Sequence, residues 1–241
     1  MPIGQVRGVP DNGTMNCQES EIAATMKEQL MPYCNWIRTE SKLSNSSLAK
    51  PDRELSIELG YVPVLQPDID ICFSIGDELC AVELKSFGSG GRSDSFYTGI
   101  GQALALQRYG VDRIALWAVF EDERDLVRLA SAAWYFVRNQ ALLSLDFTPY
   151  LVREDGGKTC FEVWQYLSQS RAGSSGCYFS QSARNFRHPN PLISGISPDP
   201  DSRVIRRHLQ GWLESKLRET DINPIDRLMA DYQDAGPTGP M

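Results

Sequence analysis

The stretch QPDIDICFSIGDELCAVELKSF, Gln66 to Phe87, constrains the fold more than any other part of the chain. In its first arm Ile69, Ile71, Phe73 and Ile75 alternate with Asp68, Asp70, Cys72 and Ser74, the period of a strand whose side chains stand on opposite faces. Gly76-Asp77 supplies a turn. The second arm sets Ala81, Glu83, Lys85 and Phe87 on one face and Cys80, Val82, Leu84 and Ser86 on the other. With a two-residue loop the register puts Asp70 opposite Glu83 and Asp68 opposite Lys85, so both arms send their charges to one face. Carboxylates on adjoining strand positions repel one another unless a hard cation or a basic partner neutralises them.

The rest of the chain reads as elements around this hairpin. Residues 1–17, rich in Gly, Pro and Asn, form a flexible lead-in. The spacing of Ile22, Met26, Leu30, Cys34 and Ile37 predicts a helix capped by Ser20 and kinked at Pro32. In RELSIEL the alternation of Leu55, Ile57 and Leu59 predicts a strand. After a Gly/Ser-rich loop, FYTGIGQALALQRYG is a helix ending at Gly110, and DRIALWAVF has the unbroken apolar character of a strand inside a mixed sheet. An amphipathic helix is expected from Asp125 to about Leu145, then a hairpin turning at DGGK. Residues 168–202 read as irregular, and Arg203–Arg218 as a basic helix with Ile205, Leu209, Trp212, Leu213 and Leu217 inward. The tail, 234–241, is expected to fray.

With 241 residues, 41% hydrophobic and 23% charged, the composition is that of a soluble globular protein with ample core. The longest clean apolar run, Ala115 to Phe120, is too short for a membrane span, and the N-terminus lacks the apolar region of a secretory signal, so a cytoplasmic location is expected. Six cysteines without a CxxC read as free thiols. The net charge of −7 hides an asymmetry: residues 171–218 carry +5 and the remainder −12, which leaves room for a polyanion surface on an acidic protein.

Pro67-Asp68, followed after fourteen residues by Glu83-Leu84-Lys85 at the end of a hairpin, resembles the PD-(D/E)xK nuclease superfamily. A second pair at the same spacing, Asp199 and Glu214, fails because Glu214 and Lys216 lie on a helix, where residues two apart share no face. The resemblance covers roughly residues 20–120 and implies an α/β, restriction-endonuclease-like αβββαβ core, a central mixed sheet flanked by helices. On that reading residues 18–146 are the core and 147–233 a C-terminal extension of hairpin, irregular segment and basic helix.

The same resemblance implies hydrolysis of DNA phosphodiester bonds by a water held on Mg²⁺ or Mn²⁺. Asp68 and Glu83 would be metal ligands, Leu84 would lend its backbone carbonyl, and Lys85 would be catalytic. Gln102 matches a glutamine found beside the site in some branches. Asp70 is the alternative to Asp68, because the simple register sets it across from Glu83. Glu21 and Glu28 on the first helix are further acids within reach, although helical glutamates are usually solvated. Arg184, Arg187, Arg203, Arg206 and Arg207 are the expected phosphate contacts, the last three sharing an exposed helical face. Cutting both strands of a duplex would suggest a homodimer. The alternative is a nuclease-like domain that binds nucleic acid or protein without chemistry. A metal-independent RNA nuclease would want a histidine or tyrosine base, and neither His188 nor His208 is near the hairpin in sequence.

Overall fold

The computed structural model describes residues 19–41, 51–60, 69–87, 93–129, 136, 139–165, 170–172 and 179–215. Asp68 and both chain ends lie outside them. The elements run α1 (Glu19–Leu30), β1 (Trp36–Ser41), α2 (Pro51–Leu59), β2 (Ile69–Ile75), β3 (Glu78–Phe87), α3 (Ser93–Ala105), β4 (Arg113–Phe120), α4 (Glu123–Arg128), β5 (Asp146–Asp155), β6 (Lys158–Gln165), β7 (Ser170–Ala172), α5 (Phe179–Ala183), α6 (Pro191–Ser194) and α7 (Pro200–Ser215). The architecture is α/β. One mixed sheet of seven strands runs in sequence order, parallel at β3–β4 and β4–β5 and antiparallel elsewhere.

Burial on both faces explains the apolar run of β4, in which every residue after Arg113 is buried. On one face Ile71, Phe73, Val82, Leu84 and Trp117 pack beneath α1 through Ile22, Met26 and Leu30. On the other, Cys72, Ala81, Leu116 and Phe120 pack beneath α3 and α7 through Phe96, Ala103, Ile205 and Leu209. Because strand side chains alternate, Glu83 and Lys85 stand on the second face, under α3. The expected hairpin at DGGK closes between Asp155 and Lys158, with Gly156 and Gly157 at φ +57° and +77°, a conformation that favours glycine at both loop positions. Its strands continue the sheet that contains the first hairpin. No helix among the described residues is long and apolar enough to cross a membrane.

Several elements differ from the sequence-based expectation. The first helix stops at Leu30 instead of continuing to Ile37: Pro32 sits in a 3₁₀ turn, Cys34 is extended at φ −116° and ψ 149°, and Trp36 and Ile37 begin β1. Cys34 and Ile37 are buried beside α1's own apolar residues, so their helical spacing reported a shared core rather than a shared helix. RELSIEL is helical, since Leu55 is 1% exposed and Ile57 72%, and Leu59, one turn on from Leu55, packs with it on the core. The helix expected from Asp125 begins at Glu123, where Asp122 accepts the Arg124 N–H at 2.7 Å as N-cap, and ends at Arg128. Residues 139–143 are again helical. The segment expected to be irregular, 168–202, contains β7, α5, α6 and the start of α7.

The arginines of α7 do not share one exposed face. Arg206 donates to Asp112 Oδ2 at 2.7 Å, and the same oxygen accepts the Leu79 N–H at 2.8 Å, which pins the helix to the loop end of the β2–β3 hairpin. Arg207 pairs with Glu58 at 2.9 Å, whose other oxygen meets His208 at 2.9 Å, tying α7 to α2. Arg203 is exposed. Removing one partner of the part-buried pair strands the other's charge, so Arg206→Gln should lower the unfolding free energy by about 1–3 kcal/mol in urea titrations. Arg203→Gln should stay within about 0.5 kcal/mol of the parent.

Candidate functional site

The hairpin register is the expected one: Ile71 pairs with Val82 and Ile75 with Glu78, around Gly76-Asp77. One step further along that register stand Asp70 and Glu83, but the β2–β3 ladder has already stopped at Ile71. β2 itself continues to Ile69, paired with Ser41 of β1. The strands therefore part at Asp70, and its Oδ2 takes the Leu84 N–H at 2.7 Å in place of a ladder bond. The N–H of Ser86, two residues on and facing the same edge, is taken by Glu19 Oε1 at 3.0 Å. Two carboxylates thus replace the missing strand along the edge of β3. Since the N–H and C=O of one strand residue point the same way, the Leu84 carbonyl also faces this opening.

Glu83 is 1% exposed. Its Oε1 meets Lys85 Nζ at 2.7 Å, and its Oε2 is buried without a hydrogen-bond partner. Burial, and then the charge of Asp70, raise the Glu83 pKa to about 7 against the opposing pull of Lys85. Burial works against the Lys85 ammonium, but Glu83, with Glu19 and Asp70 behind it, raises its pKa on balance. Glu19 Oε2 lies 3.5 Å from the same ammonium. The stem of Lys85 is fixed by α3: a Cβ added at Gly99 would stand 2.7 Å from Lys85 Cγ and 3.1 Å from Leu116 Cδ1. Glycine lets the helix approach the lysine that closely.

Gln102 is half-buried on α3, three residues beyond Gly99 and so on the same helical face. The helix runs back along β3 from Phe96, whose ring lies 6.4 Å from that of Phe87, so its next turn after Gly99 heads from Lys85 toward Glu83. Among the described residues no three His, Cys, Asp or Glu side chains converge closely enough to enclose a metal ion, and Asp68 lies outside those residues. The chemistry of the donors nevertheless suits a hard cation: Glu83 has an unpartnered carboxylate oxygen, and Asp70, a second carboxylate, bonds the backbone of the neighbouring Leu84.

The expected arginines lie elsewhere. Arg206 reaches the Asp77 carbonyl at 3.5 Å, six residues from Glu83, or about 20 Å along a strand at about 3.3 Å per residue. The exposed Arg184 lies over the Tyr33 ring at 4.3 Å, beside α1. Arg187, also exposed, donates its backbone N–H to Asp146 at 2.9 Å, and Asp146 pairs in register with Ala115 on the sheet face opposite Glu83. Of the first-helix acids, Glu21 and Glu28 are exposed, and the residue that reaches the site is Glu19. Its only trace in the sequence is its place in the first turn of α1.

Comparison with known protein families, curated proteins and solved structures finds no match for this chain.

Two outcomes follow from this geometry. A carboxyl group with a raised folded-state pKa holds its proton while the unfolded chain has lost it, so its contribution to stability falls as pH rises from about 4.5 to about 7. Metal-free Glu83→Gln should lack that fall and gain about 1–3 kcal/mol relative to the parent between pH 5 and pH 8, measured by denaturant unfolding. Gly99→Ala should cost about 1–3 kcal/mol through overpacking against Lys85, whereas Gly101→Ala, at a position with nothing within 4 Å, should stabilise slightly.

Proposed function

We propose that the protein is a Mg²⁺- or Mn²⁺-dependent nuclease that hydrolyses DNA phosphodiester bonds at the open end of the β2–β3 hairpin. The observation that carries this reading is the Glu83 carboxylate, buried beside Asp70 with one oxygen on Lys85 and the other without a partner. An arrangement that leaves a buried carboxylate oxygen unsatisfied is costly unless something else binds it. The element order α1, β1, β2, β3, α3, β4, with α2 inserted, supports the resemblance to PD-(D/E)xK nucleases, and that resemblance makes DNA the substrate class.

Asp70, Glu83 and the Leu84 carbonyl would hold the cation, with Asp68, two residues before Asp70 in the sequence, as the alternative acid. When bound, the cation supplies Lewis acidity, lowering the pKa of a water and offsetting phosphate charge. Lys85 is the cation of the chain itself at the site. Its ammonium donates hydrogen bonds to phosphate oxygens and stabilises the charge that builds on them during attack. Packing of its stem under Gly99 limits where that charge can go. Gln102 would orient substrate or water from the facing helix. Both histidines are committed elsewhere, His188 to Asp146 and His208 to Glu58, so neither serves as a general base here. The exposed Arg184, Arg187 and Arg203 remain proposed contacts to the DNA backbone, and Arg206 is withdrawn from that surface by Asp112.

The test is a cleavage panel over circular duplex, linear duplex, single-stranded and branched DNA and RNA, with and without Mg²⁺ or Mn²⁺. Cleavage of DNA only with cation is expected, and Glu83→Ala and Lys85→Ala should each lower it by about 100-fold or more while the fold is kept. Asp70→Asn and Asp68→Asn identify the first acidic ligand by which one is inactive. Tight DNA binding with no cleavage under any condition would replace this reading with that of a binding module.

A further inference from the structure

The two oxygens of Glu19 are divided between the strand and the lysine: Oε1 accepts the Ser86 N–H at 3.0 Å and Oε2 stands 3.5 Å from Lys85 Nζ. The two oxygens of Glu83 are divided differently, with Oε1 on Lys85 at 2.7 Å and Oε2 unpartnered. Lys85 is therefore shared by a carboxylate anchored to backbone and one with a vacant side. Its stem is held beneath Gly99, so the freedom left to it is that of its terminal torsions.

We propose that Glu19 is a positioning residue that retains the Lys85 ammonium in the site when the Glu83 carboxylate turns to a cation. This inference rests on the nuclease reading above. A cation held by Glu83 would compete with Lys85 for the charge of that carboxylate, and the ammonium, free at its terminal torsions, would then turn toward solvent. Glu19 prevents this because its own position is set by Ser86 and does not depend on Glu83. The shift required of Nζ is small, since Glu19 Oε2 is already within ion-pairing range. Glu19 thus acts through Lys85 and needs no contact with the reacting phosphate.

Acylation of Lys85 by an amine-reactive ester, followed by peptide mass spectrometry, reads whether the ammonium is held. The decisive comparison needs no metal. In Glu83→Gln, Glu19 is the carboxylate left within ion-pairing range of the lysine among the described residues, and labelling should stay within about twofold of the parent; in Glu83→Gln with Glu19→Gln it should rise by about fivefold or more. Glutamine at position 19 keeps an oxygen for the Ser86 N–H, so the change removes charge and leaves the strand edge covered. Glu21→Gln in place of Glu19→Gln should have no effect, because Glu21 is exposed on the same helical turn. Equal labelling of the double and single variants, or release by Glu21→Gln, would overturn the proposal.

A second arm uses Mn²⁺ with the Glu19→Gln protein and carries the test alone if the double variant does not fold. Labelling of Lys85 should rise on adding Mn²⁺ to Glu19→Gln and not to the parent, and kcat should fall by about tenfold with KM within about twofold. No rise in Glu19→Gln would overturn the hand-off wherever calorimetry shows Mn²⁺ bound. Absence of Mn²⁺ binding in the parent would instead overturn the nuclease reading, leaving the metal-free comparison to decide the role of Glu19.

Discussion

Beyond Val82 the free edge of β3 is bonded by side chains instead of by a neighbouring strand, and the arrangement of the acidic face follows from that. β2 diverges to stay with β1, which leaves the Leu84 and Ser86 N–H groups to be satisfied. Asp70 and Glu19 satisfy them. A hydroxyl or amide would have served as acceptor equally well, but carboxylates bring charge to the place where Glu83 is already buried. The outcome is three acids around one lysine, with a carboxylate oxygen left over.

Such crowding needs a framework that resists its repulsion. Glu83 sits on an interior strand of the sheet, with Phe73, Leu84 and Trp117 on the opposite face and Leu116, Phe96 and Ala103 on its own. Close-packed surroundings of this kind do not relax readily to let water in. Gly99 brings α3 down on the stem of Lys85, so this compensating cation is held in place by packing as well as by charge. The acidic end and the arginine-tied loop end of the same hairpin are thereby kept apart: Arg206 and Asp112 fasten the latter, and neither contributes to the former.

Much of this was legible in the sequence where the determinants are local. Period-two alternation and a two-residue turn were enough to set Asp70 across from Glu83 and to put Lys85 on the same face. The reading failed where a pattern serves two geometries. Leu55 and Leu59 alternate as in a strand and also lie one helical turn apart, and only the exposure of Ile57 distinguishes the cases. Cys34 and Ile37 continue a helical spacing although α1 ends at Leu30 and Ile37 belongs to β1. Pairings between residues distant along the chain were not legible. Glu19 is 67 residues from Ser86, and Arg206 is 94 from Asp112, so neither the extra acid at the site nor the neutralised arginine could be inferred from spacing.

The central claim is that the acidic opening of the hairpin is a divalent-cation site. Anomalous diffraction from a crystal soaked in Mn²⁺ tests it most directly, because the ion reports its own position and needs no substrate. The account requires one strong peak at about 2.1–2.3 Å from Glu83 Oε2, in contact also with a strand-borne aspartate and the Leu84 carbonyl oxygen. A peak confined to surface carboxylates, or a soaked crystal in which Glu83 keeps Lys85 as its sole partner, would contradict it.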